Sequence, residues 1–548
     1  MKLVIVGGVA GGASAAARAR RVSEHADIVV FERGPDVSFA NCGLPYYIGG
    51  EIAERDKLLV VTPERLKERY KLDVRVRSSV EGIDRAKKCV RVRDLATGRE
   101  YDEPYDKLIL APGAAPFRPP VPGIDLPGIH TLRTLQDTDR IKERIDAGVK
   151  QAVVIGGGFI GLELVENFVR RGIATTVVEH KDQVLTPFDR EMTTPIVGEL
   201  RAHGVNVRLG DSAIAFETAA DGLTVVLKSG ERLQAGIVAI GVGVRPENRL
   251  AANAGLEIGP RGGIVVNEQL QTADPDIYAV GDAVQTADAA TGEPVQVPLA
   301  GPANRMGRLA AEHALGRTTR YRGTQGTAII GVFGKTATIT GASEKSLRRT
   351  GRSFRKVYVH PSHHAGYYPG AAGMTLKVLF EPETGRLLGA QGVGGAGVDK
   401  RIDVLSVAIQ AGMTVFDLEE MELAYSPQYG SAKDPVNMAG FVAAGLIRGE
   451  HPQMDVDEVV AMPDSTRPVL LDVRTPAEFA AGHLPGAVNI PVDDLRKRLD
   501  EIPRNVPIAT YCQVGQRGYL ATRILLQNGF RAANLGGGYK TYQLFHPG

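Results

Sequence analysis

Short apolar runs that end in glycine or in an acidic residue recur along the first half of the chain. Lys2–Val6 reads as a buried parallel strand, and Gly7-Gly8-Val9-Ala10-Gly11-Gly12 separates it from an Ala/Arg-rich helix over residues 13–22. The next apolar run, residues 27–31, ends at Glu32, 20 residues beyond Gly12. The pattern returns with a strand over Gln151–Ile155, then Gly156-Gly157-Gly158-Phe159-Ile160-Gly161 and a helix over 162–171. A strand over 174–178 then ends at Glu179. Such a turn lets the backbone approach a pyrophosphate at a helix N-terminus, where N–H groups and the helix dipole favour an anion. A carboxylate at the following strand end can accept from ribose hydroxyls. The candidate nucleotide residues are Gly7, Gly11, Gly12 and Glu32 in the first unit, and Gly156, Gly158, Gly161 and Glu179 in the second. The second unit fills all three glycine places, whereas the first has Val9 at the third. Glu179 should repel a 2′-phosphate and so favour NADH over NADPH, with Lys181 two residues on weakening that preference.

Further on, a short strand runs into Gly281-Asp282, whose carboxylate is available to a polyol hydroxyl, and Leu108-Ile109-Leu110-Ala111-Pro112-Gly113 lies between the two units. This ordered set resembles the flavoprotein disulfide reductases with two dinucleotide domains, over residues 1 to 448. The resemblance implies FAD on the first unit, with Ala111, Gly113, Gly281 and Asp282 among its contacts, and NADH on the second. Residues 325–448 would then form a dimerisation domain, with strands over 328–333 and 375–380 and a helix over 398–411, and the protein would be a homodimer.

A polar break at 449–455 precedes a separate α/β module. It contains Asp472-Val473-Arg474, then Gly482-His483-Leu484-Pro485-Gly486-Ala487, and a strand over Ile508–Tyr511 that ends at Cys512. Gln513-Val514-Gly515-Gln516-Arg517-Gly518 follows, with a helix over 519–527. A cysteine at the start of such a loop faces N–H donors, which together with Arg517 suit a thiolate or persulfide. The module resembles a rhodanese domain, which carries sulfane sulfur on that cysteine.

Composition narrows the classes. Of 548 residues, 43% are hydrophobic and 23% charged, and the net charge of +2 gives no global attraction to nucleic acid. Three cysteines, Cys42, Cys89 and Cys512, exclude a disulfide scaffold and a Cys-rich metal cluster, so no metal site is expected. The N-terminus lacks a signal-peptide pattern and no 18-residue apolar run occurs, so neither a membrane span nor a membrane partner is expected and the reading is cytoplasmic.

The chemistry is expected at Ser38-Phe39-Ala40-Asn41-Cys42-Gly43-Leu44-Pro45-Tyr46-Tyr47. Backbone N–H groups and a helix N-terminus there could lower the thiol pKa. Cys42 has no cysteine neighbour before Cys89, which lies in an alternating strand-like segment and reads as packing. It must therefore cycle through an oxidised sulfur of its own or a mixed disulfide or persulfide with an outside sulfur. Val9 and Ala10 stand where the related peroxidases carry a loop His. The Ser-Phe-x-x-Cys-Gly-Leu-Pro-Tyr run instead resembles the coenzyme A-disulfide reductases. That resemblance implies that Tyr367 and Tyr425 are presented by the partner subunit, and that Ser14, Arg18, Arg21, Ser38, Asn41 and Lys433 contact coenzyme A. Asn304 and Arg308, one turn apart on another helix, are added as candidates. Tyr70 departs from the basic residue that the family can carry there, so this position offers no cation to a phosphate.

The fold expected is α/β: two Rossmann-like dinucleotide-binding domains, an α+β dimerisation domain and a small C-terminal α/β rhodanese domain. Its parts are FAD domain 1–112 and 242–324, NADH domain 113–241, dimerisation domain 325–448, linker 449–455 and rhodanese domain 456–548. The fusion resembles reductase–rhodanese enzymes, implying reduction of persulfides, polysulfides or coenzyme A persulfide with release of hydrosulfide. Alternatives are a coenzyme A-disulfide reductase, an NADH oxidase or peroxidase, and a non-catalytic sulfur carrier or redox sensor. Catalytic candidates are Cys42, Tyr367, Tyr425, Cys512 and Arg517; cofactors and carriers are FAD, NADH and coenzyme A.

Overall fold

The computed structural model describes residues 1–547 and divides into two compact units, residues 1–184 with 201–326 and residues 185–200 with 327–548. In the first unit both expected βαβ patterns form. The first sheet is all parallel in the order Ile277–Ala279, Lys107–Leu110, Lys2–Val6, Asp27–Phe31, Asp73–Arg75. The second is all parallel in the order Asn206–Leu209, Ala174–Glu179, Gln151–Ile155, Ile237–Ile240, Ile129–His130. In each, the strand that enters the glycine turn is the central one. It is buried on both faces, which is why it reads as a continuous apolar run rather than an alternation.

Both helices begin earlier than expected, Ala10–Val22 and Phe159–Arg170, because the fourth to sixth residues of each glycine turn already form the first helical turn. The helix Ala10–Val22 packs against Ala300–Ala314 at a glycine contact, where a Cβ on Gly307 would lie 2.0 Å from the carbonyl oxygen of Gly11. Cys89 is buried in the strand Cys89–Asp94 of an antiparallel three-stranded sheet.

The second unit holds an antiparallel five-stranded sheet, Ala328–Val332, Lys335–Gly341, Leu387–Gly394, Met374–Phe380, Arg355–Val359, covered by the helices Val398–Gln410 and Pro435–Ile447. It also holds a parallel sheet in the order Gln453–Met454, Ala532–Leu535, Ile508–Tyr511, Val469–Asp472, Val488–Asn489. Gln453 and Met454, expected within the linker, pair with Asn534 and Leu535 as its edge strand.

The two sheets of this unit are joined by buried polar groups. The Lys377 ammonium is fully buried and lies 2.8 Å from Asp189, 2.6 Å from Glu191 and 2.5 Å from Glu344. Those three carboxylates have the spacing of a metal site, but an ammonium stands among them. Lys356 continues the lattice from Glu344 at 3.3 Å to Asp457 at 3.1 Å and Asp455 at 3.7 Å, at the start of the C-terminal module. His360 bonds Thr541 at 2.8 Å, and the Thr194 hydroxyl donates to the Leu544 carbonyl at 2.8 Å. Removal from water is tolerable for these ions because each carboxylate has a cation at contact distance.

Candidate functional site

The glycine turns show which residues the fold itself requires. Gly7 and Gly156 have φ of +101° and +106°, and a Cβ there would sit 2.1 Å from the Ala111 carbonyl oxygen and 2.4 Å from that of Gly241. Cβ atoms on Gly12 and Gly161 would sit 1.8 and 2.0 Å from the carbonyl oxygens of Gly7 and Gly156. Gly11 is packed on Val280, 3.1 Å from a would-be Cβ. The third place differs: at Gly158 no protein atom lies closer than 4.0 Å to a Cβ. Packing therefore does not demand glycine there, and Val9 occupies the equivalent position in extended conformation at φ −106°.

The acid after each unit is pinned to its glycine turn in the same way. The Gly8 and Gly34 N–H groups donate to Glu32 at 2.8 and 2.7 Å. The Gly157 and Lys181 N–H groups donate to Glu179 at 2.7 and 3.0 Å. Neither helix has a side-chain cap or an acid in its first turn. Uncapped N–H groups beside an oriented carboxylate suit a dinucleotide's pyrophosphate and ribose, so the residues present fit FAD and NADH. Ala111 donates its N–H to Val6 at 2.8 Å, and Gly113 turns the chain at φ +71°. Gly281, at φ +79°, opens the turn that carries Asp282; burial pushes that carboxyl up, with Arg133 opposing.

Cys42 lies in a short 3-10 turn, Asn41–Gly43, that leads into the helix Leu44–Gly49. Ser38 just before it takes a left-handed φ of 48°, its N–H donating to the Gly8 carbonyl at 2.9 Å and its carbonyl accepting from Val60 at 3.0 Å. A non-glycine residue held in that region is strained, and the first of these bonds ties the cysteine loop to the first glycine turn while the second ties it to Val60. The helix Leu44–Gly49 packs so closely on Phe159–Arg170 that a Cβ on Gly49 would lie 1.8 Å from the Asn167 side-chain oxygen. Four residues before Asn167 on that helix stands Glu163.

The electrostatics of the thiol differ from the expectation of a lowered pKa. Cys42 is exposed on one side, but the protein packed behind it pushes the thiol up, with further increments from Glu163 and Asp282 outweighing a backbone hydrogen bond. Burial is the larger cause of the reversal, and the two carboxyl groups close to the sulfur add to it because a thiolate there is a like charge. Burial and Glu166 push Glu163 itself up to about 7, against a Tyr46 hydrogen bond, and Tyr46 rises to about 12 mainly through burial. Glu163, Glu166 and Asn167 interrupt an otherwise apolar helix, a pattern that marks buried polar groups in the sequence.

Of the residues expected to hold coenzyme A, four are brought together in the first unit. Ser14 bonds Asn304, while Arg18 and Arg308 share the carboxylate of Glu312, the latter at 3.3 Å. Glu312, which the sequence reading did not single out, cancels one of those charges. Arg21 and Asn41 are exposed.

In the second unit, Tyr367 and Tyr425 are 77% and 49% exposed, and their hydroxyls are 3.1 Å apart. The Tyr425 bond raises the Tyr367 phenol above its ordinary value. Arg401, 1% exposed, pins both tyrosine segments: its guanidinium donates to the His363 carbonyl and to Asp434, each at 2.8 Å. Lys433, next to Asp434, is exposed.

In the C-terminal module Cys512 is 1% exposed, and the Gly515 N–H donates to its sulfur at 3.2 Å. The following helix starts at Gln516, so Arg517 stands in its first turn rather than in the loop. Arg517 grips Glu478 through two bonds of 2.8 and 2.6 Å and lies against Cys512; the pairing pulls Glu478 down to about 2. The clamp fixes the guanidinium's orientation, which leaves the cation in place for an anionic sulfur.

The profile described as pyridine nucleotide-disulphide oxidoreductase matches residues 1–305, its dimerisation domain residues 330–434, and the rhodanese-like domain residues 455–544. The coenzyme A disulfide reductase of Staphylococcus haemolyticus is 37% identical over 447 residues, 81% of this chain and all of that protein. The structure of reduced Bacillus anthracis CoADR-RHD superposes with a TM-score of 0.97 at 46% identity, covering 100% of this chain and 98% of that one. A NAD-dependent persulfide reductase from A. fulgidus superposes at 0.92 with 38% identity, covering 99% and 100%. No helix among the described residues is long and apolar enough to cross a membrane.

Proposed function

Since the chain belongs to the pyridine nucleotide-disulphide oxidoreductase family and carries a rhodanese-like domain, we propose that it is an NADH-dependent persulfide reductase. Its substrate would be a low-molecular-weight persulfide, with coenzyme A persulfide as the first choice, and its products the carrier thiol and hydrosulfide. The observation that carries this reading is the presence in one chain of two free cysteines: Cys42, in the loop bonded to the first nucleotide turn, and Cys512, kept with its Arg517–Glu478 clamp in a rhodanese loop.

In the proposed cycle the Cys42 thiolate attacks the outer sulfur of the persulfide, forming a Cys42 persulfide and releasing the carrier thiolate. FAD, when bound, supplies the two electrons of NADH that split the Cys42 persulfide into thiolate and hydrosulfide. In sum, RSSH and NADH give RSH, HS⁻ and NAD⁺. Glu163 is poised as the proton source and sink, because a carboxyl near 7 holds and releases a proton at neutral pH. A homodimer would bring the partner subunit's Tyr367 and the partner subunit's Tyr425 to the leaving thiolate. Ser14, Arg18, Arg21, Ser38, Asn41, Asn304, Arg308 and Lys433 would serve the carrier's hydroxyl and phosphate groups. Glu179, buried and pinned to Gly157, supports NADH as the electron donor. Because buried ion pairs hold the C-terminal module on the antiparallel sheet, sulfur is handed from Cys512 on a small carrier rather than by a swinging domain.

Anaerobic turnover tests the reading: one hydrosulfide should appear for each NADH consumed with coenzyme A persulfide, and NADH oxidation without hydrosulfide would refute it. Cys512→Ser should abolish sulfur transfer from thiosulfate yet spare NADH-dependent reduction of added coenzyme A persulfide. Loss of both activities would place the two cysteines obligately in series.

Glu163→Gln has an expected sign as well. Above about pH 7 the native carboxylate opposes ionisation of Cys42; the amide does not. At pH 8 the variant's Cys42 should react faster with iodoacetamide, and the wild-type inflection near pH 7 should vanish. An unchanged pH profile would remove Glu163 from the thiol's environment.

A further inference from the structure

The sulfur of Cys512 accepts a hydrogen bond whose own support comes from outside the cysteine loop. The donor is the Gly515 N–H, 3.2 Å from the sulfur, and Gly515 is a left-handed residue at φ +97° that opens the helix Gln516–Gln527. A glycine has no Cβ to restrict it, so the directions of its peptide groups must be fixed by what they bond. The Gly515 carbonyl takes two donors. One is the Tyr519 N–H at 2.9 Å, the first bond of the helix, and the other is the Asn534 side-chain amide at 3.0 Å. The second hydrogen of that amide meets Nε2 of His451 at 3.0 Å. An NH2 group only donates, so Nε2 accepts and the ring proton sits on Nδ1. Burial, with Arg523 adding to it, pushes His451 down to about 4, which keeps the ring neutral.

Both side chains sit on pinned backbone. The His451 N–H donates to the Gly445 carbonyl at 3.0 Å, in the last turn of the helix Pro435–Ile447, and the His451 ring lies 4.2 Å from that of Tyr519, centroid to centroid. The Asn534 N–H donates to the Pro452 carbonyl at 2.9 Å. Arg523, on the helix that follows Cys512, donates to the Glu450 carbonyl at 2.9 Å. His451 thus reaches the cysteine loop from the segment that precedes the rhodanese-like domain. Oδ1 of Asn534 is buried with no partner among the described residues, pressed against Gly518, where a Cβ would lie 2.3 Å away. A buried amide that leaves its acceptor unmet loses stability, a loss that an apolar side chain would avoid. What the amide provides in return is its two donated bonds, one of them on the Gly515 carbonyl.

We propose that His451 and Asn534 are positioning residues for sulfur transfer at Cys512. The imidazole orients the amide, the amide holds the Gly515 peptide, and the Gly515 N–H is kept on the sulfur, where a hydrogen bond favours the anionic thiolate and persulfide. This role presupposes that Cys512 is a sulfur-transfer nucleophile, as in the cycle above. With thiosulfate, the Cys512 thiolate attacks the outer sulfur; the S–S bond breaks and sulfite leaves with the electron pair. Cyanide then takes the outer sulfur of the Cys512 persulfide as thiocyanate, and the thiolate returns. Neither positioning residue touches the reacting atoms; both act through Gly515.

The test uses the full-length protein, with thiosulfate as donor and cyanide as acceptor. Asn534→Ala removes the amide, and His451→Phe keeps a ring on Tyr519 but removes the acceptor. Each should lower kcat/KM for thiosulfate by about tenfold, the weight of one hydrogen bond to an anion. His451→Gln, whose side-chain oxygen accepts in place of Nε2, should recover most of that loss. Alkylation separates positioning from loosening. Cys512 is 1% exposed, so a loosened fold would speed its reaction with iodoacetamide, whereas a misdirected N–H in an intact fold should slow it, as read on the Cys512 peptide by mass spectrometry. Unchanged kcat/KM in both variants, faster alkylation in both, or His451→Gln as impaired as His451→Phe would overturn the assignment while leaving Cys512 as the nucleophile. If the wild-type protein forms no thiocyanate from thiosulfate, the reading of Cys512 falls and this role with it.

Discussion

Cys42→Ser should abolish NADH-dependent turnover, with a loss of at least about a thousandfold for coenzyme A persulfide and coenzyme A disulfide alike. A serine hydroxyl cannot attack a sulfane sulfur at neutral pH, and neither other cysteine can replace it in the reductase loop. Cys89 is buried in an antiparallel strand, and Cys512 belongs to the rhodanese-like module. The glycine turns and their carboxylates are untouched by the change, so reduction of the bound flavin by one equivalent of NADH should persist in stopped flow. Turnover that survives the substitution would mean that electrons leave by a route other than this sulfur.

The second large effect concerns the fold. Lys377→Met should destabilise the second unit by roughly 3–5 kcal/mol, because Asp189 and Glu191 would be left buried without the ammonium that neutralises them and Glu344 would keep only Lys356 and Arg348. The pH dependence should change sign. In the wild type, Lys377 and Lys356 hold Glu344 at about 2 against the burial that would raise it. Its contribution is therefore complete above the unfolded value near 4.5 and is lost as pH falls toward 2. In Lys377→Met the carboxyls are raised instead, so stability should increase as pH is lowered from 7 toward 5. Chemical denaturation at several pH values reads this directly; a variant with the wild-type slope would show that the lattice carries no net electrostatic stabilisation.

The parts of the molecule written in local pattern were legible in the sequence. Both βαβ units follow from apolar runs, glycine spacing and the acid at the next strand end, since each of these is a constraint within about 30 residues. Val9 looked like a flaw in the first fingerprint, but the third place has no protein neighbour to exclude a side chain, as Gly158 demonstrates. What escaped was set by residues distant in sequence. Glu163 belongs to a nucleotide helix, and only the packing of Gly49 against Asn167 shows that it adds to the burial that raises Cys42. The expected lowering of the Cys42 pKa fails for the same reason: the loop geometry is local, whereas the packing that buries the thiol and the carboxylates that add to its rise come from residues distant in sequence. Arg401 reads as an ordinary helix charge, yet it positions both tyrosine segments. Lys377 sits in a strand whose seven residues are all buried, where alternation gives no hint of three carboxylates behind it. The break at 449–455 reads as a spacer because Pro and Gly punctuate it, while parallel pairing with Ala532–Leu535 depends on a strand some eighty residues on.

The central claim is substrate choice at Cys42, and one competition measures it. With NADH saturating and oxygen excluded, coenzyme A persulfide and coenzyme A disulfide are compared by kcat/KM on the same preparation. A persulfide reductase should favour the persulfide by about tenfold or more, a difference of some 1.4 kcal/mol in transition-state binding, with hydrosulfide formed in step. A ratio of one or below, in favour of the disulfide, would contradict the account and leave the rhodanese module to separate work.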